Sequence, residues 1–403
     1  MDSKAKSLSF IESITLVFVG LLLSWKLFRL VVPSPYLWDI HNFIIIFVAI
    51  TSCSLTLKHN LYLGMSRTSF VVLLFLVLTI FRLGYFGAID TFTICSLVFG
   101  FYFIMLDWLI KNGRQKGFRY FEALITLLFV FNLFDFVDAN TNLINIISYE
   151  IPAFKEGTLG KLGHSSQFIW SDSMSHGVVI RSIGVAGTNY ASSALNAATC
   201  VYFFVVKKRL LFFLTFTLLI FWGVGSSLAA AILGIFLTRV RSNWIFLYFP
   251  IVIFLVVLLF KSRGFDVDHL MNITNNFGAF DLLAATIVGE GKAISSMQSE
   301  WRVIGLFFSL GALGSLFLAI MIYNYFIYSK YEKSCGDDHQ FRGGLFFLLV
   351  LLISTIHYNT LLVFPNVFFL VGLISLSTAG FVEIRARTRI GTKASASDYS
   401  VHH

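Results

Sequence analysis

The sequence predicts an all-α, polytopic membrane protein with about twelve transmembrane helices and two long loops on one side of the bilayer. Three observations predict it. Of 403 residues, 57% are hydrophobic and 13% are charged, where a soluble domain carries roughly 25% charged residues. Mean hydropathy over the whole chain is +0.81, too high to come from a single buried core. Apolar runs of about 20 residues recur from end to end, each long enough to cross a hydrocarbon layer of roughly 30 Å. Lipid offers the backbone no hydrogen-bond partners, so such runs must be helices.

The first five spans are expected at 9–25, 38–57, 68–86, 91–110 and 120–137. No small-residue cleavage site follows the first, which reads as a retained span and not a signal peptide. The third carries Arg82 near its outer end. A long loop follows over 138–189. Spans six to nine are expected at 190–206, 210–223, 225–238 and 243–260. The seventh and eighth are short and meet at Gly223, Val224 and Gly225, so they are either two spans or one broken helix. A second long loop covers 261–300, and the last spans fall at 301–328, 343–357 and 361–381. The polar, Ser-rich tail over 385–403 is expected to be disordered. Residues 1–403 thus form a single transmembrane domain, with no internal repeat.

The basic residues orient this arrangement. Cytoplasmic loops of membrane proteins are enriched in Lys and Arg. With the N-terminus cytoplasmic, 20 of the 30 Lys and Arg residues fall on the inner side, nine fall on the outer side, and Arg82 lies within a span. Both termini are then cytoplasmic and both long loops are outside. Lys26 and Arg29 run against the bias. The net charge of +9 does not point to nucleic acid, because the cations sit in short loops beside apolar runs. Cys53, Cys95 and Cys200 fall within spans and Cys335 in a short charged loop, so no structural disulfide is expected.

Candidate chemistry gathers where the long loops end. The first closes on Arg181, Gly184, Gly187, Thr188, Asn189, Tyr190 and Ala191, leading directly into a helix. A guanidinium binds phosphate with a planar fork, glycine lets backbone approach a ligand, and a helix N-terminus favours an anion. The same residues also fit an interfacial Arg that snorkels beside a capped helix. The second loop closes on Gly289-Glu290-Gly291-Lys292, then Ser299-Glu300-Trp301-Arg302 and a helix carrying Gly305, Gly311 and Gly314. A partly desolvated carboxylate such as Glu300 can take a proton from a sugar hydroxyl, and a neighbouring Arg can neutralise a leaving phosphate. Glu300 also suits an acidic first turn that complements the helix dipole.

The three glycines read as helix-packing positions. Arg82 faces a polar cavity or snorkels to the interface. His357, Tyr358 and Asn359 form a tight outer turn between the last two spans. His164, His176 and His269 lack metal-ligand spacing, and no metal or cofactor is expected. The sequence holds no Walker loop, no GxGxxG fingerprint and no GxSxG elbow.

This pattern resembles the superfamily of O-antigen polymerases and O-antigen ligases, bacterial inner-membrane glycosyltransferases. Those proteins have about twelve spans and place large periplasmic loops between spans five and six and between spans nine and ten, as here. The motif likeness rests on two short stretches. One is Arg181, Gly184, Gly187, Thr188 and Asn189 with Ala191 before span six; the other is Ser299-Glu300 with Trp301 and Gly311 to Gly314 at span ten. Two departures stand out. The ligase-type His is absent, which favours polymerase over ligase. The family's Ser-Arg near span eight is here Ser226-Ser227-Leu228.

The resemblance implies a GT-C-like fold in the inner membrane of a Gram-negative bacterium. It implies transfer of a growing glycan from undecaprenyl pyrophosphate to the non-reducing end of another lipid-linked repeat unit. Donor and acceptor are then both undecaprenyl-pyrophosphate-linked oligosaccharides, and a chain-length regulator protein is a further expected partner. Arg181 and Arg302, with Arg82 or Arg263, would hold pyrophosphate without a metal. Glu300, or else Glu290, would deprotonate the acceptor. Asn189, Tyr190, Lys292, Tyr358 and Asn359 complete the expected substrate-binding set. Two other functions fit the topology less well: a ligase delivering polymer to lipid A-core, and a flippase or other transporter of the lipid-linked unit. Transporters commonly pair broken helices across internal repeats, and only one break is visible here.

Overall fold

The computed structural model describes residues 66–86, 96–141, 189–239, 302–331, 338–355 and 365–399, together with residues 43, 44, 46, 47, 184, 186, 283, 286–289 and 360–363. All regular elements among them are helices. They are α1 (Arg67–Phe86), a short 3-10 turn (Val98–Gly100) running into α2 (Phe101–Asn112), α3 (Arg114–Thr141), α4 (Asn189–Val205), α5 (Arg209–Trp222), α6 (Gly225–Arg239), α7 (Arg302–Tyr331), α8 (Asp338–Thr355) and α9 (Asn366–Tyr399). The all-α expectation therefore holds for the described residues. The expected spans 9–25 and 243–260, most of 38–57 and nearly all of both long loops lie outside them.

Two helical stretches among the described residues, Arg114–Val137 and Ser309–Ile327, are long and apolar enough to cross a membrane. At 1.5 Å per residue they extend about 36 and 28 Å. Arg209–Trp222, Gly225–Arg239, His339–Thr355 and Asn366–Val382 are apolar but shorter. Length and apolarity thus account for two of the twelve expected spans.

The breaks between helices follow from particular residues. Gly113 (φ +85°) ends α2, and its N–H returns to the carbonyl of Leu109 at 2.8 Å. Gly223 adopts the left-handed conformation (φ 63°) that closes α5, donating to Leu219 at 3.2 Å. The 223–225 junction therefore separates two helices. Near its start, α7 breaks at Gly311, whose φ of 66° and ψ of 174° are not helical. Helical geometry in α9 runs past 381 to Tyr399, through the stretch expected as a disordered tail. Its Glu, Arg, Ala and Lys residues are good helix formers.

At the centre of the bundle lies α4, which packs on α5, α6 and α8; α9 packs on α2, α3 and α7, and α1 packs on α7. Small residues permit the closeness. Ala194, Ala197 and Ala198 are fully buried in α4. A Cβ on Gly234 of α6 would stand 3.1 Å from Val201, and one on Gly343 of α8 would stand 2.9 Å from Tyr202. Close backbone approach of this kind supplies helix association where water cannot drive it. An aromatic knot of Phe121, Tyr202, Phe347 and Phe369 ties α3, α4, α8 and α9 together, with ring centroids 5.3–5.9 Å apart. Edge-to-face pairs like these contribute about 0.5–1.5 kcal/mol each beyond burial.

Large apolar side chains stand outside the bundle as well as in its apolar core, and a set of polar residues is buried. Leu210, Phe213 and Phe236 are 72%, 62% and 60% exposed. Ile80, Phe81, Leu127, Phe134 and Leu316 also stand outside. Arg82, Asn132, Asp135, Asn196, Ser375 and Thr378 are buried.

Candidate functional site

Two polar clusters lie at the ends of the long loops. The first is built by α3 and α4. Asn132 and Asp135 stand one helical turn apart in α3, so they share a face. Asn132 Nδ2 donates to Asn196 Oδ1 of α4 at 2.9 Å. Asp135 Oδ2 accepts the backbone N–H of Gly184 at 2.7 Å, and Ser192 Oγ accepts the N–H of Ala186 at 3.0 Å. The end of the first loop is thereby held on the helix that enters it and the helix that leaves it. Gly184 is required here twice over: its φ is +66°, and a Cβ would collide with Ser192 and stand 2.7 Å from Asn132 Oδ1. Asn366 at the start of α9 braces the same region, donating to the carbonyls of Ala191 (3.1 Å) and Thr360 (2.7 Å). Behind the cluster, Tyr190, Leu133 and Phe136 pack against Phe129, Leu218, Trp222 and Val224.

Some buried polar atoms in this region have no protein partner among the described residues: Ser193 Oγ, Asn196 Nδ2, Trp222 Nε1 and Asn366 Oδ1. Buried polar atoms are ordinarily hydrogen-bonded. Here they are donors and acceptors able to meet a polar ligand or water.

The second cluster centres on Arg82, which is 2% exposed. Its Nε donates to the carbonyl of Val288 at 2.6 Å, and its Nη2 donates to the carbonyl of Leu310. Val288 precedes Gly289 near the end of the second loop; Leu310 precedes the break in α7. Gly289 (φ +87°) and Gly311 (φ +66°) meet backbone to backbone, and a Cβ on either would run into the main chain of the other segment. Gly314 passes so close that its Cβ would stand 2.6 Å from Arg82 Nη2. A broken helix leaves carbonyls without intrahelical partners, and the guanidinium satisfies one of them. Arg82 is thus a clamp that ties Val288 onto the kink of α7.

No protein-family model, no curated protein and no solved structure matches this chain. The site is therefore described by its own residues alone. Asn189 opens α4, with Tyr190 half-buried in the apolar backing of the first cluster, and Arg302 opens α7. Arg82 lies in the second cluster. Arg181, Arg263, Glu290, Lys292, Glu300, Tyr358 and Asn359 lie outside the described residues. Among the described residues no group of three His, Cys, Asp or Glu side chains is placed to hold a metal.

Sequence reasoning missed Asn132, Asp135, Ser192 and Asn196. A signal was present. Amides and a carboxylate interrupt otherwise apolar runs at helical spacing, three apart in α3 and four apart in α4. Polar side chains within such runs turn toward one another or toward a polar cavity.

Proposed function

We propose that this chain is a multi-pass inner-membrane glycosyltransferase that polymerises lipid-linked oligosaccharide repeat units at the periplasmic face. The observation that carries the reading is the anchoring of Gly184 by Asp135. Gly184, three residues after Arg181 in sequence, is held against α3 by this bond, and the resemblance places the substrate-binding Arg in this stretch. Further support comes from the exposed apolar side chains around buried polar groups, and from the Arg82 clamp on Val288 and Leu310. With lipid as the outer solvent, the four shorter apolar helices join the two long ones as six membrane-embedded segments of the proposed twelve-span arrangement with both termini cytoplasmic.

In this reading the acceptor hydroxyl attacks the anomeric carbon of the donor glycan. Glu300 takes the hydroxyl proton, the bond from anomeric carbon to phosphate oxygen breaks, and undecaprenyl pyrophosphate leaves with the bonding pair. Arg181 and Arg302 neutralise the charge that develops on the leaving group. Asp135 positions the backbone at Gly184, and Asn132 and Asn196 hold α3 against α4.

The test is deletion of the gene, with lipopolysaccharide resolved on a gel. Core carrying a single repeat unit is the expected outcome. Bare core with polymer stranded on its lipid carrier means a ligase and overturns the proposal; bare core with single units trapped on the inner leaflet means a flippase and overturns it too.

A further inference from the structure

At the opposite end of α4 from Gly184, four helices converge on a pocket of about 650 Å³. Lys207, Arg209, Arg239, His339 and Arg342 open onto it, and no carboxylate among the described residues lines it. The cations come from three places in the chain: the α4–α5 turn, the end of α6 and the start of α8. Lys208, next in sequence to Lys207, instead pairs with Glu122 of α3. The charge in the pocket is therefore concentrated, with basic side chains and no acidic ones among the described residues that line it.

The turn that supplies Lys207 is tightly specified. Lys207 holds φ +63°, a conformation uncommon for a residue with a side chain. Hydrogen bonds from Lys208 N–H to Phe203 (2.9 Å) and from Arg209 N–H to Lys207 (3.1 Å) fix it. Arg342 is held as well: its Nη2 donates to the carbonyl of Thr238 at 2.6 Å, and its guanidinium lies 5.8 Å from the ring of Phe346. Phe204, Phe212 and Phe213 supply apolar wall. That wall continues outward, since Phe213 and Leu210 are among the most exposed apolar side chains.

A site that is cationic at one end and opens along an apolar flank matches an amphiphilic anion. We propose that this pocket binds the headgroup of an anionic phospholipid, its phosphate among Lys207, Arg209, Arg239 and Arg342 and its acyl chains along Phe212 and Phe213. The basic-residue bias puts this end of the bundle on the cytoplasmic side, so the ligand belongs to the inner leaflet. A free phosphate would use the cations but leave the apolar flank without purpose. The inference rests on the membrane reading above, and not on the transferase chemistry.

The test uses the full chain reconstituted into phosphatidylcholine vesicles carrying a trace of photo-activatable phosphatidylglycerol or, in parallel, photo-activatable phosphatidylcholine. The phosphatidylglycerol probe should label peptides spanning 203–213 and 338–346 several-fold more than the phosphatidylcholine probe. Lys207→Gly with Arg209→Gln should bring the two probes close to parity, since each cation near an anionic headgroup contributes on the order of five-fold. Lys207→Gly removes a charge while suiting the left-handed backbone, so the turn is kept. Equal labelling by the two probes in the unaltered protein overturns the site. So does unchanged labelling in the double variant, or displacement of the lipid probe by inorganic phosphate, which would make it a free-anion site. Flotation with the vesicles reports separately on the membrane reading: a chain that does not float removes that reading and this site together.

Discussion

Arg82 shows how a charge is made tolerable inside an apolar bundle. Placing a cation there is costly, and each donated hydrogen bond to a charged group returns about 1.5–3 kcal/mol. Two carbonyls from distant segments receive it, Val288 and Leu310. Lysine presents a single point charge and not a fork, so Arg82→Lys should lose one of the two bonds. We expect it to lower the melting temperature of the detergent-solubilised protein by several degrees, and Arg82→Met to lower it further. If Arg82 chiefly bound pyrophosphate, Arg82→Lys would keep its stability and lose polymer length on a gel.

Asp135 makes a parallel case, since its loss strands the buried N–H of Gly184. Asp135→Ala should cost about 1–3 kcal/mol, read as a fall in melting temperature, whereas Asp135→Asn keeps an acceptor and should cost less. In the proposed mechanism Glu300 is the base, so Glu300→Gln tests the chemistry. At normal membrane levels it should abolish chain lengthening while leaving the melting temperature unchanged, and full-length polymer from that variant would remove Glu300 from the mechanism.

At the scale of the helix, hydropathy located the described elements and a non-local contact shaped one of them. Expected spans at 120–137, 210–223 and 225–238 correspond to α3, α5 and α6 with ends shifted by a few residues. Such runs are legible because a long apolar stretch between polar turns marks a helix whichever neighbours it packs on. The break in α7 was not legible. Gly305, Gly311 and Gly314 look alike along the sequence, and only the approach of Gly289 distinguishes Gly311. The Asp135–Gly184 contact was hidden for the same reason: it joins residues 49 positions apart, and nothing local announces it. Gly311→Ala must place a methyl group into the main chain at Gly289 while holding φ +66°. The conformation alone costs about 1–2 kcal/mol. Thermal unfolding should fall accordingly, and Gly305→Ala should change it far less if that glycine is only a packing position. Equal effects at both positions would argue against a special role for the Gly289–Gly311 contact.

At the scale of the bundle, apolar residues lie on both sides: Phe213 and Phe236 face outward from a largely apolar core in which Asn132 and Asp135 are buried. In water such a surface would drive aggregation; in lipid it is the matched solvent face. The proposed twelve-span topology makes a sided prediction. On a cysteine-free background, Lys161→Cys should react with an impermeant maleimide in cells whose outer membrane alone is opened. Lys116→Cys should react only after the inner membrane is lysed. Labelling in the opposite order would invert the orientation and move both loops to the cytoplasm.

The contact between Gly289 and Gly311 has a consequence for the chain that separates them. Because the two glycines meet backbone to backbone, and Arg82 fastens each flank, the chain between them is stitched at both ends to the same spot. Joining residues so far apart in sequence closes the intervening chain into a loop, and the entropy of its ends is lost when the two glycines meet. Gly311→Ala therefore opens a loop as well as straining one residue, and its effect on unfolding combines the two.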